Sequence, residues 1–253
     1  MSDALSSIKA LVKPLLPAAV LNYWRRRSFE AEQAQFRDMK LNEVFEQIYE
    51  TNIWQRDGST ARYRSGPGSD AAVTARYEAF VVEYLMRNPH VERIVDIGCG
   101  DFQVSGRILA ALQQRQRPFS YIGCDIASNV VAYNREHYAR PGIEFAVLDV
   151  SKDVPPQGDI VTVREVFQHL SNVHILAALD NLRRRFECAI VTESIHPGTT
   201  NPNIDIISGY RTRDGYDSGV FVDLPPFDLQ VLEEHTFDWS PTEQFRTTVV
   251  ALR

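Results

Sequence analysis

Cysteine is scarce: Cys99, Cys124 and Cys188 are the only three in 253 residues, and none stands in CxxC spacing. An odd, unspaced set builds neither a disulfide framework nor a cysteine-ligated zinc site, and no other metal-ligand spacing is visible. Free thiols suit a reducing cytoplasm, which is the expected location. Long apolar runs are missing too. The early apolar stretch is broken by Lys13, Pro14 and Pro17, whereas a signal peptide needs an unbroken apolar region and a spanning helix about 20 such residues. Positive charge is in deficit: the net charge is −6, so the overall field does not favour a nucleic-acid partner. The clusters Arg25-Arg26-Arg27 and Arg183-Arg184-Arg185 read as solvated helix faces. No internal repeat or low-complexity tract appears.

What is present reads as an arm followed by one α/β domain. Residues 1–64 form a helical arm or lid. One apolar side carries Ile8, Leu11, Leu15, Leu16, Leu21 and Trp24, and Phe36, Leu41, Phe45 and Ile48 recur at near-helical spacing up to Tyr49. Its arginines allow a weak membrane-surface contact, although such a face is more often core. The stretch "SGPGS" at 65–69 is a Gly-rich loop leading into a helix, with Ser69 or Asp70 as cap and Val73, Tyr77, Val81 and Leu85 repeating every four residues. Such a loop can hold an anion, helped by Arg62 and Arg64, or can simply be a linker.

From residue 91 the chain alternates. Strands are predicted at "ERIVDIG", "SYIGCDI", "IEFAVLDV", "DIVTV" and "CAIVTES", with helices over 103–116, 127–139 and 172–185. Continuous apolar strands alternating with helices define a doubly wound, mostly parallel sheet with both faces covered. Residues 196–230 contain Pro197, Pro202, Pro225 and Pro226 and lack helical period. So long a connection reads as a loop covering the substrate. "VLEEHTFD" and "FRTTVVALR" read as a final antiparallel pair.

The first strand runs into Gly98 and Gly100, where a ligand can approach the backbone closely. A dinucleotide fingerprint needs a third glycine where Gln103 stands. Asp96 would repel a pyrophosphate and attract an ammonium. Asp125, closing the second strand, can accept ribose hydroxyls, and Asp149, closing the third, an exocyclic amine. Ammonium, ribose and adenine in series describe S-adenosylmethionine (SAM).

The segments "VDIGCGDF", "YIGCDIA", "AVLDV" and "DIVTVREVFQHLS", in this order and spacing, resemble class I SAM-dependent methyltransferases, over roughly residues 65 to 195 plus the final strand pair. With "SGPGS" upstream and "PPFDL" downstream the chain is similar to a bacterial subgroup whose members often lie beside glycan-building genes. The resemblance implies a seven-stranded Rossmann-like sheet with the last strand antiparallel. It also implies SAM contacts from Asp96, Gly98, Cys99 and Gly100 (methionine part), Asp125 and Ile126 (ribose), Leu148, Asp149 and Val150 (adenine), and Arg164, with Ser65 and Gly66 from the upstream loop. Asp101 departs from the pattern, standing where many members carry a further glycine.

The stretch "REVFQHLSN" sets Arg164, Glu165 and His169 where the fourth strand ends. His169 is the first candidate base, since an imidazole titrates near neutral pH. Glu165 would orient it or bind substrate, and Arg164 would hold an acid. The competing reading is a histidine that only holds the loop. A second set follows the fifth strand: Glu193, His196, Tyr210, Arg211 and Arg213, with His196 as an alternative base. His137 falls mid-helix and reads as surface. The expected reaction is O-methylation of a carbohydrate, glycolipid or other small metabolite. The alternatives are transfer of SAM's aminocarboxypropyl arm, or a nicotinamide-dependent oxidoreductase, against which Asp96 and Gln103 argue.

Overall fold

The computed structural model describes residues 18–55, 62–238, 240 and 243–253. Ile8, Leu11, Leu15 and Leu16 of the arm lie outside the described residues, as do the side chains of Leu21 and Arg25 and part of the Gly-rich segment, residues 56–61. Six α-helices are described: α1 Ala18–Ala34, α2 Leu41–Glu50, α3 Ala71–Arg87, α4 Gln103–Gln114, α5 Ser128–Tyr138 and α6 Asn172–Arg183. The strands are β1 Arg93–Ile97, β2 Ser120–Asp125, β3 Ile143–Val147, β4 Ile160–Arg164, β5 Cys188–Ile195, β6 Gln230–Asp238 and β7 Gln244–Ala251. β3 ends at Val147, three residues before the predicted segment's end at Val150. Leu148 N still donates to Asp125 O (2.9 Å), but Asp149 belongs to the turn beyond.

The sheet order is β3-β2-β1-β4-β5-β7-β6. β1 pairs in parallel with both β2 and β4, while β7 runs antiparallel to β5 and β6. The chain thus winds outward from β1 in one direction and then from β4 in the other, leaving a crevice at the carboxyl ends of β1 and β4.

Side-chain alternation sorts the strand residues onto two faces. Val95, Ile97, Val161, Val163 and Val191 pack with Leu41, Val44 and Ile48 of α2 and Ile175, Leu179 and Leu182 of α6. Ile94, Tyr121, Phe145 and Ile160 pack on the other face with Tyr77, Val81 and Leu85 of α3 and Ile108, Leu109 and Leu112 of α4. α2 therefore shares its apolar cluster with the central strands.

Asp70, one of the two caps the sequence offers, takes the N-cap position of α3, but its side chain makes no capping bond and instead pairs with Arg64. Between β5 and β6 only a single 3₁₀ turn, Arg213–Tyr216, interrupts an irregular segment. Asn203 holds that segment, its amide nitrogen donating to the carbonyls of Phe221 (2.9 Å), Leu224 (3.2 Å) and Pro225 (2.9 Å). No helix among the described residues is long and apolar enough to cross a membrane.

Candidate active site

A cavity of about 1190 Å³ opens at the carboxyl ends of β1 and β4. This exceeds the roughly 300–1,000 Å³ of an ordinary small-molecule pocket, so it has room for a cofactor and a second reactant. Ser65, Gly66, Asp96, Gly98, Cys99, Asp125, Ile126, Leu148, Asp149, Val150, Arg164, Glu165 and His169 all line it. Gly100 sits behind this lining. Its N–H donates to Asp125 Oδ2 (3.0 Å) and its carbonyl accepts from Asn134 Nδ2 (2.7 Å).

The turn after β1 requires its glycines. Gly98 and Gly100 have φ of +72° and +51°, where a side chain is strained. A Cβ on Gly98 would lie 2.2 Å from Val166 Cγ2, and one on Gly100 2.2 Å from Ser65 Oγ. Asp101 fastens the upstream loop to this turn. Its Oδ2 accepts from Ser65 N (3.1 Å), and its N–H donates to Ser65 Oγ (3.0 Å).

The three strand-end acids are all engaged by the protein. Asp96 accepts from Thr162 Oγ1 (2.7 Å), Ser105 Oγ (2.6 Å) and Tyr121 OH (2.7 Å). Burial raises its pKa and these hydroxyls oppose the rise. It can thus meet an ammonium with its charge and at most one free lone pair. Asp125 accepts from Gly100 N on one oxygen and from Ala127 N (3.0 Å) on the other; burial lifts its pKa to about 6. Asp149 binds Ser151 through N (3.1 Å) and Oγ (2.5 Å), and Lys152 Nζ (2.8 Å). Burial works to raise its pKa, but Lys152 and Ser151 hold it below its ordinary value.

The segment after β4 differs. Arg164 Nε there is buried without a hydrogen-bond partner, whereas Glu165 draws on the Ser194 backbone and His169 on that of Arg211. Unsatisfied buried groups are rare in folded proteins and demand an explanation. A ligand in this cavity provides one. Glu165 is held at φ +57°, an uncommon conformation for a non-glycine residue that clusters at functional sites. Its Oε2 accepts from Gln168 Nε2 (2.9 Å), which also lies 3.4 Å from His169 Nε2. Arg164 lies over the rings of Tyr77 (5.3 Å) and Phe245 (5.0 Å) and donates to Gly68 O.

Electrostatics separates the acid from the imidazole. Burial pushes Glu165 up to about 7 against the pull of Arg164 and Gln168. Burial drives His169 down to about 4, with the Arg211 backbone and Asp214 opposing. His169 is thus a neutral ring near pH 7, tilted against Trp54 at 5.2 Å between centroids. Behind this segment, Glu193 accepts from Phe167 N (2.8 Å) and Gln168 N (3.0 Å). Burial first, and then the Glu165 charge, raises Glu193 to about 8.

The second set divides. Tyr210 and Arg211 line the cavity, whereas Glu193, His196 and Arg213 do not. Arg213 is 1% exposed. It donates to the carbonyls of Ile204, Phe167, Gln168 and Leu170, so it ties the irregular segment to the turn after β4. His137 is exposed and stacks on Tyr133.

Several lining residues escape a linear reading. Trp24, Ser28, Phe29 and Glu32 of α1 reach the cavity, as do Phe45 and Tyr49 of α2 and Trp54. Glu32 Oε2 accepts from Tyr210 OH (2.6 Å) and Arg211 Nε (2.7 Å), and Phe29 meets Tyr216 edge-on at 5.0 Å. The sequence hint is the position of Phe29 and Glu32 one helical turn apart on α1; their partners lie far along the chain.

The sheet order, with a glycine turn after β1 and acids at successive strand ends, is that of the Rossmann-like fold of class I SAM-dependent methyltransferases. Residues 95–187 match a family model described as a methyltransferase domain. Among solved structures, magnesium protoporphyrin IX methyltransferase (ChlM) from Synechocystis PCC 6803 with bound S-adenosylhomocysteine (SAH) aligns with a TM-score of 0.54 at 15% identity. That alignment covers 83% of this chain and 99% of that one. The CMeT domain of the citrinin polyketide synthase aligns at 0.53 and 13% identity over 71% of this chain, which spans about half (52%) of that one. A DhpI–SAH complex aligns at 0.50 and 12% identity over 84% of this chain and 98% of that one. At these identities the likeness is one of fold. No curated protein matches the chain.

Proposed function

We propose that this protein transfers the SAM methyl group to a hydroxyl oxygen of a small molecule, with Glu165 as the base. The observation that carries the reading is the Glu165 carboxyl on the cavity wall, held at φ +57° and raised by burial to about 7. SAM supplies an electrophilic methyl on a sulfonium. Asp125 would hold its ribose, Asp149 with Leu148 and Val150 its adenine, and Asp96 its ammonium. The acceptor's O–H proton goes to Glu165, the oxygen forms the new C–O bond, and the S–CH₃ bond breaks to leave neutral SAH. A carboxyl tuned to near neutrality suits this task. A histidine held near 4 does not, so His169 becomes a positioning residue beside Trp54.

The acceptor side favours a hydroxyl-rich molecule with apolar faces. Trp24, Phe29 and Trp54 offer flat surfaces, and Ser28, Tyr210, Arg211 and Thr212 offer polar groups. A carbohydrate or glycolipid hydroxyl fits this description, and a cytoplasmic glycan-building route would supply it. The arm serves as the lid and the 196–230 segment as the substrate cover, because both line the cavity.

The test is turnover of SAM over a panel of glycosides and small alcohols, with SAH distinguished from methylthioadenosine by mass spectrometry. Glu165→Gln should bind SAH as the native chain does and lose ~10²–10⁴-fold in kcat. His169→Ala should lose less. The acid limb of kcat/KM should fall near pH 7, because Glu165 must be ionised; a limb near pH 4 would return the base role to His169. Methylthioadenosine as the product would overturn methyl transfer.

A further inference from the structure

The antiparallel register of β5 and β7 sets Ile195 opposite Gln244. One residue further, that register brings His196 beside Glu243. The 3₁₀ turn Arg213–Tyr216 delivers Asp214 to the same point, with His196 Nε2 3.2 Å from Asp214 Oδ1. One ligand atom from each of the three residues lies within 4.8 Å of the others. Asp214 and Glu243 are also on the cavity wall. Among the described residues, no lysine or arginine forms an ion pair with either carboxylate. The two carboxylates share one imidazole, and their like charges repel one another across it. A cation between them removes that cost.

We propose that His196, Asp214 and Glu243 form a divalent-cation site at the rim of the cavity. One imidazole and two carboxylates are a donor set for a borderline-to-hard divalent ion such as Mn²⁺. Three protein ligands leave coordination positions open, as in metal sites that engage a substrate. The open side faces the acceptor half, where the Asp214 charge already acts on both Glu165 and His169. An acceptor oxygen would complete the shell. This last clause rests on the hydroxyl-acceptor reading above, and the cation site itself does not.

The experiment is a titration of Mn²⁺ into the full chain with SAH present, following free Mn²⁺ by electron paramagnetic resonance. One Mn²⁺ per chain is expected. Asp214→Asn and Glu243→Gln should each weaken binding at least ~10-fold by removing one anionic ligand. SAH affinity and Tm, unchanged in both variants, would show that the fold persists, and His137→Ala, a surface histidine, should bind Mn²⁺ as the native chain does. No bound Mn²⁺, or variants that bind it as the native chain does, would overturn the site. Because no acceptor is present, a wrong acceptor assignment leaves this titration untouched and shows itself only in the turnover panel.

Discussion

At the carboxyl ends of β1 and β2 and just after β3, Asp96, Asp125 and Asp149 each accept two or more hydrogen bonds from the protein itself. At the end of β4, Arg164 Nε has no partner, and Glu165 and His169 rely on the Ser194 and Arg211 backbones. The first region is built from neighbours in sequence and register: Asp96 stands opposite Gly123 on one side and Thr162 on the other, so its hydroxyl donors come with the sheet. The second is assembled from distant pieces: α1, Trp54, residues 164–169 and the segment after β5. The difference teaches that the acids of the proposed cofactor half are fixed by the sheet and its adjacent turns, whereas the acceptor half is assembled from distant segments. A preorganised binding site and a separately assembled reacting site are what a group-transfer enzyme needs, since the acceptor must be aligned with the bound cofactor.

The sharpest way to break this comparison is Gly98→Ala. The added methyl meets Val166 and must hold a left-handed backbone, costing about 2–5 kcal/mol from overpacking and strain together. SAH binding measured by calorimetry should be lost or fall far below that of the native chain. Near-native binding would show that the first region is less rigid than its contacts imply.

Glu193→Gln should act on the second region alone. Glu193, raised to about 8 by burial and the Glu165 charge, is uncharged while Glu165 titrates near 7, so the acid limb of kcat/KM should stay in place while SAH affinity holds. Glu193 also leaves a stability signature. Its folded pKa, about 8, lies above its ordinary 4.5, so its contribution is full below pH 4.5 and is lost as pH rises through 8. The variant's Tm should lack that decline. It should also be lower at pH 5, because a glutamine amide leaves Phe167 N or Gln168 N without an acceptor, at about 1–3 kcal/mol.

The smallest effect is expected from Glu32→Gln, which loosens α1 from Tyr210 and Arg211. The pair is partly exposed, and such ion pairs contribute about 0–1 kcal/mol. KM for the acceptor should rise a few-fold with kcat nearly constant. A fall in kcat instead would place Glu32 in the chemistry.

Much of the fold was legible because its signals are local. Apolar runs of strand length, helical repeats and glycines at strand ends lie within windows of a few residues. The expected antiparallel end strands are seen as β6 and β7, and Asp96, Asp125 and Asp149, which line the cavity, could be picked out because a strand's carboxyl end can be located from its apolar run. The same logic overshot for Asp149, since hydrophobic Leu148 looked like strand. The roles within "REVFQHLSN" were not legible. His169 looked like the base from its free-solution pKa, and Arg213 and Glu193 looked like site residues from their chemistry, although both are buried in support of the turn.

The sequence by itself determined the alternation of strands and helices, the glycine turn and the acids in series, because each depends on local periodicity and on residues that strand ends display together. Only the tertiary structure decided which groups are buried, and burial sets whether a carboxyl or an imidazole can carry a proton at neutral pH. It also decided the meeting of Glu32 with Tyr210, of Trp54 with His169, and of His196 with Asp214 and Glu243. These partners are distant along the chain, and only the crossover of the sheet and the antiparallel return of β7 bring them within bonding distance.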